Sequence, residues 1–182
     1  MISERKKSLE GSLSLAGIDA SGLIIENAMT ELLIRPACHA DWPIIANYNC
    51  RLAWESERKR LDPAKIEPGV QAVLNDPTKG RYFVAEVNGQ VIGQLMHTWE
   101  WSDWRNGQIW WLQSVYVAPE HRQQGVFRRL FEHMVALAAQ EGVLGVRLYV
   151  EEQNARAQQT YQQLGLTSAG YRVMERWFGP AL

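Results

Sequence analysis

The stretch Ser114-Val115-Tyr116-Val117-Ala118-Pro119-Glu120-His121-Arg122-Gln123-Gln124-Gly125-Val126-Phe127-Arg128-Arg129-Leu130 constrains this chain most. Its β-branched and aromatic start reads as a strand, and Pro119 ends it because proline cannot donate to a ladder. A polar turn containing Gly125 follows. Phe127, Leu130, Phe131, Met134, Leu137 and Ala138 then recur at helical spacing and put one apolar stripe on a helix. The segment is strand, turn, helix. The N–H groups of Val126, Phe127 and Arg128 open that helix without intrahelical acceptors, so the turn can hold an anion such as a phosphate. Gly142 and Gly145 bracket the next turn, and Val146 to Val150 read as a strand. Strand, helix and strand together predict a right-handed parallel crossover.

The residues before this unit read differently. Glu31 to Arg35 form a first strand ended by Pro36, and Asp41-Trp42-Pro43 opens a helix with Asp41 as its cap. Asp62-Pro63 repeats the signal before a second helix, expected to break around Pro68-Gly69. Arg81 to Val87 and Val91 to Glu100 flank Asn88-Gly89, a strong hairpin signal. Trp101 to Gly107 read as a loop and Ile109 to Val117 as the next strand. Asn154 caps a fourth helix that Gly165 stops, and Gly170 to Phe178 read as a last strand. The fold class is α/β: a mixed sheet with antiparallel hairpins first and a parallel pair after them, flanked by helices.

A chain of 182 residues with 46% hydrophobic content fills one packed domain. The formal net charge of −1 argues against nucleic acid or an anionic membrane as a partner recognised through bulk charge. No apolar run approaches the ~20 residues of a membrane-spanning helix. Cys38 and Cys50 read as reduced thiols of a cytoplasmic protein, and no Cys/His spacing suggests a metal site. Residues 1–28 are expected to be a flexible extension or an over-extended start, because Ser, Gly and Asp interrupt the mildly apolar run Leu13 to Ile25. The domain is then residues 29–182.

Asn154 and Tyr161 stand seven residues apart, two turns along one helix face. With the Arg122–Gly125 turn, these segments resemble the GNAT superfamily of N-acetyltransferases, over roughly Glu31 to Phe178 and most specifically Val115 to Gln163. The family's turn pattern is Arg or Gln, two residues, Gly, one residue, then Gly or Ala. Arg122 and Gly125 match it, and Phe127 departs. The resemblance implies a GNAT fold with a splayed parallel strand pair and acetyl-CoA as co-substrate. It implies that Val115, Tyr116 and Val117 lend backbone groups to the pantetheine arm, and that Arg122, Gln123, Gln124, Gly125, Val126, Phe127 and Arg128 cradle the pyrophosphate. It also implies that Asn154 contacts coenzyme A near the arm and that Tyr161 protonates the departing thiolate. A phenol of pKa about 10 can do so, because a thiolate near 8.5 is only a slightly weaker base.

Small diamine acetyltransferases of this family carry a Glu on the fourth strand, two residues before the backbone-contact segment. Gln113 stands there in this chain and cannot take a proton. Glu100 and Asp103, where the third strand turns toward the fourth, are the expected substitutes, with His121 a further candidate by its pKa. Neutralising a lysine-like amine at pH 7 costs about 4–5 kcal/mol, but an α-amino group costs only about 1 kcal/mol. For the latter, Gln113 need only orient a water or the substrate.

Trp99, Trp101, Trp104, Trp110 and Trp111 crowd one hairpin and are expected to wall a pocket or a dimer surface, with Trp110 and Trp111 on opposite faces. Trp54, Glu55 and Glu57 at the exit of the first helix suit a cationic amine. The expected activity is direct transfer of acetyl from acetyl-CoA to a primary amine of a small molecule, of polyamine or amino-acid type. No metal is needed, and a homodimer fits the family. Two other readings stay open: a non-catalytic acyl-CoA-binding module, which Gln113 favours, and acetylation of a peptide or protein amine.

Overall fold

Asn88 and Gly89 both adopt left-handed backbone, with φ of 52° and 76°. That is the geometry of a two-residue turn whose twist matches its strands. It joins β2 (Arg81–Val87) to β3 (Gln90–Ser102). The computed structural model describes residues 31–179, together with a short backbone ladder between Gly17–Ile18 and Ile24–Ile25 that forms a unit of its own. The expected boundary at residue 29 lies outside the described residues. β1 (Leu33–Pro36), β2, β3, β4 (Gly107–Val117) and β5 (Gly145–Leu148) form one sheet in that spatial order. The first three pairings are antiparallel and β4–β5 is parallel, as the crossover predicts.

Side chains alternate across the strands, so the sheet buries two faces. On one face Phe83, Leu95, Trp110 and Leu112 pack against Val126, Leu130, Phe131, Met134 and Ala138 of α3 (Val126–Gln140). On the other, Tyr82, Val84 and Met96 meet Ile45 and Ala46 of α1 (Trp42–Glu57) and Val70 of α2 (Pro63–Asn75). Helix α4 (Ala155–Gln163) follows β5, and Leu164 and Leu166 beyond it pack on the α3 face.

Several local expectations need correction. Helix α2 runs unbroken through Pro68. Proline forfeits one backbone bond there, while Val70, two residues on, is buried with Ile45 and Val84 and holds the helix to the sheet. Strand β3 continues through Trp101 to Ser102, so the expected loop is a four-residue turn, Asp103 to Asn106. Asp41 sends no side-chain bond into α1. Its carboxylate instead accepts from Cys38 N–H at 2.7 Å and from Arg35 at 2.8 and 3.0 Å. Residues 170–178 are not a strand: they join no ladder among the described residues, β5 stays at the sheet edge, and Met174 and Phe178 are exposed. Alternating apolar residues make a strand only where a neighbour completes the hydrogen bonds. Among the described residues no helix is long and apolar enough to cross a membrane.

Candidate active site

The β4–β5 pairing starts at Ile109–Gly145 and ends at Leu112–Leu148. Strand β4 continues to Val117, still paired with β3 at Gly93. From Gln113 onward β4 therefore has, among the described residues, a neighbour on one side and an open edge on the other. A bulge marks the same place. Gln94 pairs with Tyr116 and Met96 with Gln113, so Ser114 and Val115 together oppose Leu95. Ser114 takes φ of 51°, a left-handed conformation that a non-glycine residue holds only when its surroundings impose it.

The helix that follows starts beside this open edge. Gly125 is its N-cap with φ of 79°, and Gln123 is left-handed at 64°. The first backbone bond to close on the turn runs from Arg129 N–H to Gly125 O, at 3.0 Å. The N–H groups of Val126, Phe127 and Arg128 precede the ladder. A Cβ at Gly125 would meet no heavy atom within 4 Å, so the space beside the turn is open. Gly93 sets how close the helix comes: a Cβ there would stand 3.1 Å from Tyr116 O and 3.3 Å from Val126 Cγ1. The start of α3 is thereby seated on β3, next to the last residues of β4.

Arg122 spans several elements. Its Nε donates to Val117 O at 2.8 Å and its Nη2 to Glu55 Oε2 at 2.6 Å. Tyr116 donates its hydroxyl to Glu55 Oε1 at 2.8 Å. The Tyr116 ring also carries guanidinium carbons of Arg51 and Arg122, at 5.4 and 5.2 Å. Burial and then the Glu55 hydrogen bond push the Tyr116 phenol up to about 12. Gln124 donates its side chain back to Glu120 O at 2.9 Å, and His121 closes the short turn Pro119–His121.

Asn154 caps α4, accepting from Ala157 N–H at 3.0 Å. Tyr161 on this helix meets the Phe127 ring edge-on at 5.7 Å, so it lies against the first turn of α3. Phe127, where the family's pattern has a small residue, thus turns its ring to Tyr161 and to Phe131, 6.0 Å away, while its N–H remains at the helix start. Burial pushes the Tyr161 phenol above its usual value.

Other sequence-selected residues stand apart from the opening. Glu100 pairs with Ile109, four residues back along β4. One of its oxygens accepts from Arg147 at 2.8 Å and the other from the Trp111 indole. Asp103 sits in the turn beyond β3 and accepts from Trp104 N–H at 2.9 Å. The structure therefore does not bring either carboxylate to the open edge. Gln113 is at the edge's first position and donates to Thr98 Oγ1 at 2.9 Å. The α1 exit is met by the chain's own cations: Arg58 and Arg60 lie over Trp54 at 5.6 and 5.4 Å, and Lys59 pairs with Glu57 at 2.7 Å. The tryptophans divide. Trp110 is fully buried and stacks on His97, Trp99 packs edge-on against both, and Trp111 stacks on Tyr149. Trp101 and Trp104 are 63% and 87% exposed.

Sequence reasoning missed one group at this site. Asn49, Tyr82 and Gln94 are buried and joined: Gln94 Nε2 donates to Asn49 Oδ1 at 2.8 Å, and Asn49 Nδ2 donates to Tyr82 Oη at 3.0 Å. Gln94 Nε2 also reaches Ser114 O at 3.2 Å. The only signal was a glutamine inside a strand whose neighbours are apolar.

Residues 46–166 match the model of the acetyltransferase (GNAT) family. The chain is 41% identical to a possible acetyltransferase from Clostridium difficile 630, over 82% of this chain and 99% of that one, with a TM-score of 0.77. It is 32% identical over 75 residues to the thialysine N-epsilon-acetyltransferase of Bos taurus. That match covers 41% of this chain and 44% of the relative, so less than half of the curated protein is represented. A transcriptional regulator from Bacillus halodurans C-125, 19% identical with a TM-score of 0.70 over 81% of this chain and all of that one, shares the fold alone. With the family model spanning most of the sheet, α3 and α4, this chain belongs to the GNAT acetyltransferase family.

Proposed function

We propose that this enzyme transfers acetyl from acetyl-CoA to a primary amine of a small molecule, of polyamine or amino-acid type. The observation that carries the proposal is the continuity of two donor sets: the open edge of β4 from Gln113 to Val117 leads directly to the N-terminus of α3. The residues present fit acetyl-CoA by their chemistry. An unpaired strand edge suits the amides of a pantetheine arm, and helix-opening N–H groups suit a pyrophosphate. Val115, Tyr116 and Val117 would hold the arm, and Gln123 to Arg128 the phosphates. Arg122 braces the turn from behind through Val117 O and Glu55. Asn154 fixes the start of α4 and so the reach of Tyr161.

Acetyl-CoA supplies an activated thioester when bound. The chain orients the amine toward it, offers backbone N–H groups where negative charge grows, and holds one proton ready at Tyr161 Oη. Because burial raises its pKa, Tyr161 stays protonated at neutral pH. Both oxygens of Glu100 already have partners, so Gln113 is left to orient a water or the acceptor at the edge. This favours an amine that ionises near pKa 8, which loses its proton for about 1 kcal/mol at pH 7. The thialysine N-epsilon-acetyltransferase similarity supports an amino-acid type of acceptor.

The test is release of free coenzyme A from acetyl-CoA, read with a thiol reagent across polyamines, amino acids including thialysine, and short peptides. Release that depends on one small-amine class supports the proposal. Release with peptides alone moves the acceptor to a peptide or protein amine. Tight acetyl-CoA binding without release across the panel overturns the small-amine reading.

A further inference from the structure

Gln94 is completely buried, yet its Oε1 finds no partner among the described residues. A leucine would fill similar space without the cost of an unpaired buried oxygen, so stability alone does not account for an amide there. What the amide does is visible on its other atom. Nε2 is held at 2.8 Å by Asn49 Oδ1, from α1, and reaches the carbonyl of Ser114 at 3.2 Å. Asn49 is fixed in turn by Tyr82 of β2, whose phenol oxygen accepts from Asn49 Nδ2 at 3.0 Å. Three elements thus converge on the one residue of β4 that takes a left-handed backbone.

The described chain has no cis peptide, so the Ser114 carbonyl and the Val115 N–H point in opposite directions. The carbonyl faces Gln94 on β3. The Val115 N–H therefore leaves β4 on the far side, where β5 has ended. We infer that Gln94, held by Asn49 and Tyr82, is a positioning residue that locks the Ser114 peptide so that the Val115 N–H points into the opening beside β4, where the reacting carbonyl is held. This inference rests on the acetyl-transfer reading given above. Its action on Val115 can be read in the protein alone.

The variants are Gln94→Leu and Gln94→Met, the second keeping an unbranched chain should the first fail to fold. In the full chain without ligand, the Val115 amide should shift in ¹H–¹⁵N spectra and exchange faster with solvent, while the melting temperature stays level or rises. With acetyl-CoA and a competent amine, kcat should fall at least about tenfold and KM for acetyl-CoA change less than about threefold. Asn49→Leu should reproduce the loss, and the double variant with Gln94→Leu should lose no more than the worse single. An unmoved Val115 amide, or a kcat loss that tracks a fall in melting temperature, overturns the inference. If the wild type binds acetyl-CoA but releases no coenzyme A with any amine, the functional reading fails, and the Val115 amide alone decides the positioning role.

Discussion

Arg122 donates to Glu55 at 2.6 Å and thereby ties the turn before α3 to the end of α1. The same guanidinium holds Val117 O, the last residue of β4. Burial acts to raise the Glu55 pKa, but hydrogen bonds from Arg122 and Tyr116 outweigh it and hold the carboxyl below its ordinary range. Arg122 is thus occupied as a brace. Lysine keeps the charge but lacks the planar fork that sends separate N–H groups to Val117 O and Glu55. Arg122→Lys should raise KM for acetyl-CoA about fivefold with kcat little changed. Because both partners are about one-third exposed, their coupling in a double-mutant cycle with Glu55→Gln should be at most about 1 kcal/mol and should shrink with salt. A coupling above that range, or a loss confined to kcat, would count against the brace.

Gly125 separates shape from space. Its φ of 79° strains any side chain, while the room beside it is open. Gly125→Ala should cost about 1 kcal/mol of stability and weaken acetyl-CoA binding about tenfold. Gly125→Asn should cost less, because asparagine tolerates the left-handed region. Equal effects of the two substitutions would show that bulk at the turn, rather than backbone conformation, is the constraint.

What the sequence made legible was short-range. The Asn88-Gly89 hairpin, the α3 stripe and the Asp62 and Asn154 caps each depend on neighbours within a few residues, and each is present; the parallel crossover followed because strand, helix and strand stand consecutively in the chain. Features that failed depend on distant partners. No spacing in the sequence signals that Glu100 meets Arg147; only the parallel register that sets Trp111 beside Arg147 brings the pair together. Residues 170–178 alternate like a strand, but nothing described pairs with them. Gln94 sits in a run of β3 buried from Ile92 to His97, where alternation carries no information about facing.

Tyr161 tests the chemistry. Tyr161→Phe keeps the edge-on packing against Phe127 and removes only the proton. Turnover should drop at least about a hundredfold, the usual scale for a lost general acid, while acetyl-CoA affinity stays within about twofold. Burial places the wild-type phenol above 10, so its ionisation should appear as an alkaline fall in kcat only beyond pH 10. The variant should lack that fall. Unchanged turnover would remove Tyr161 as the acid.

His97 gives the fold a pH dependence separate from catalysis. Its ring stacks on Trp110 at 3.7 Å with 11° between planes, and neither ring nitrogen has a partner among the described residues. Burial, and then the nearby Arg81, lowers its pKa to about 3. Below about pH 6.5 the unfolded chain takes up a proton that the folded chain refuses, so the unfolded state gains. Stability should therefore fall as pH drops from 6.5 toward 3, with this residue contributing about 1.4 kcal/mol per pH unit across the window. His97→Phe keeps a flat ring against Trp110 and has no proton to refuse. Urea denaturation of both proteins between pH 4 and pH 7 should show the variant's midpoint declining less steeply as acid is added, with the curves diverging below pH 6.5. Parallel curves would mean that His97 reaches solvent or a partner when protonated, and that the neutral, sealed ring is not how the core is built.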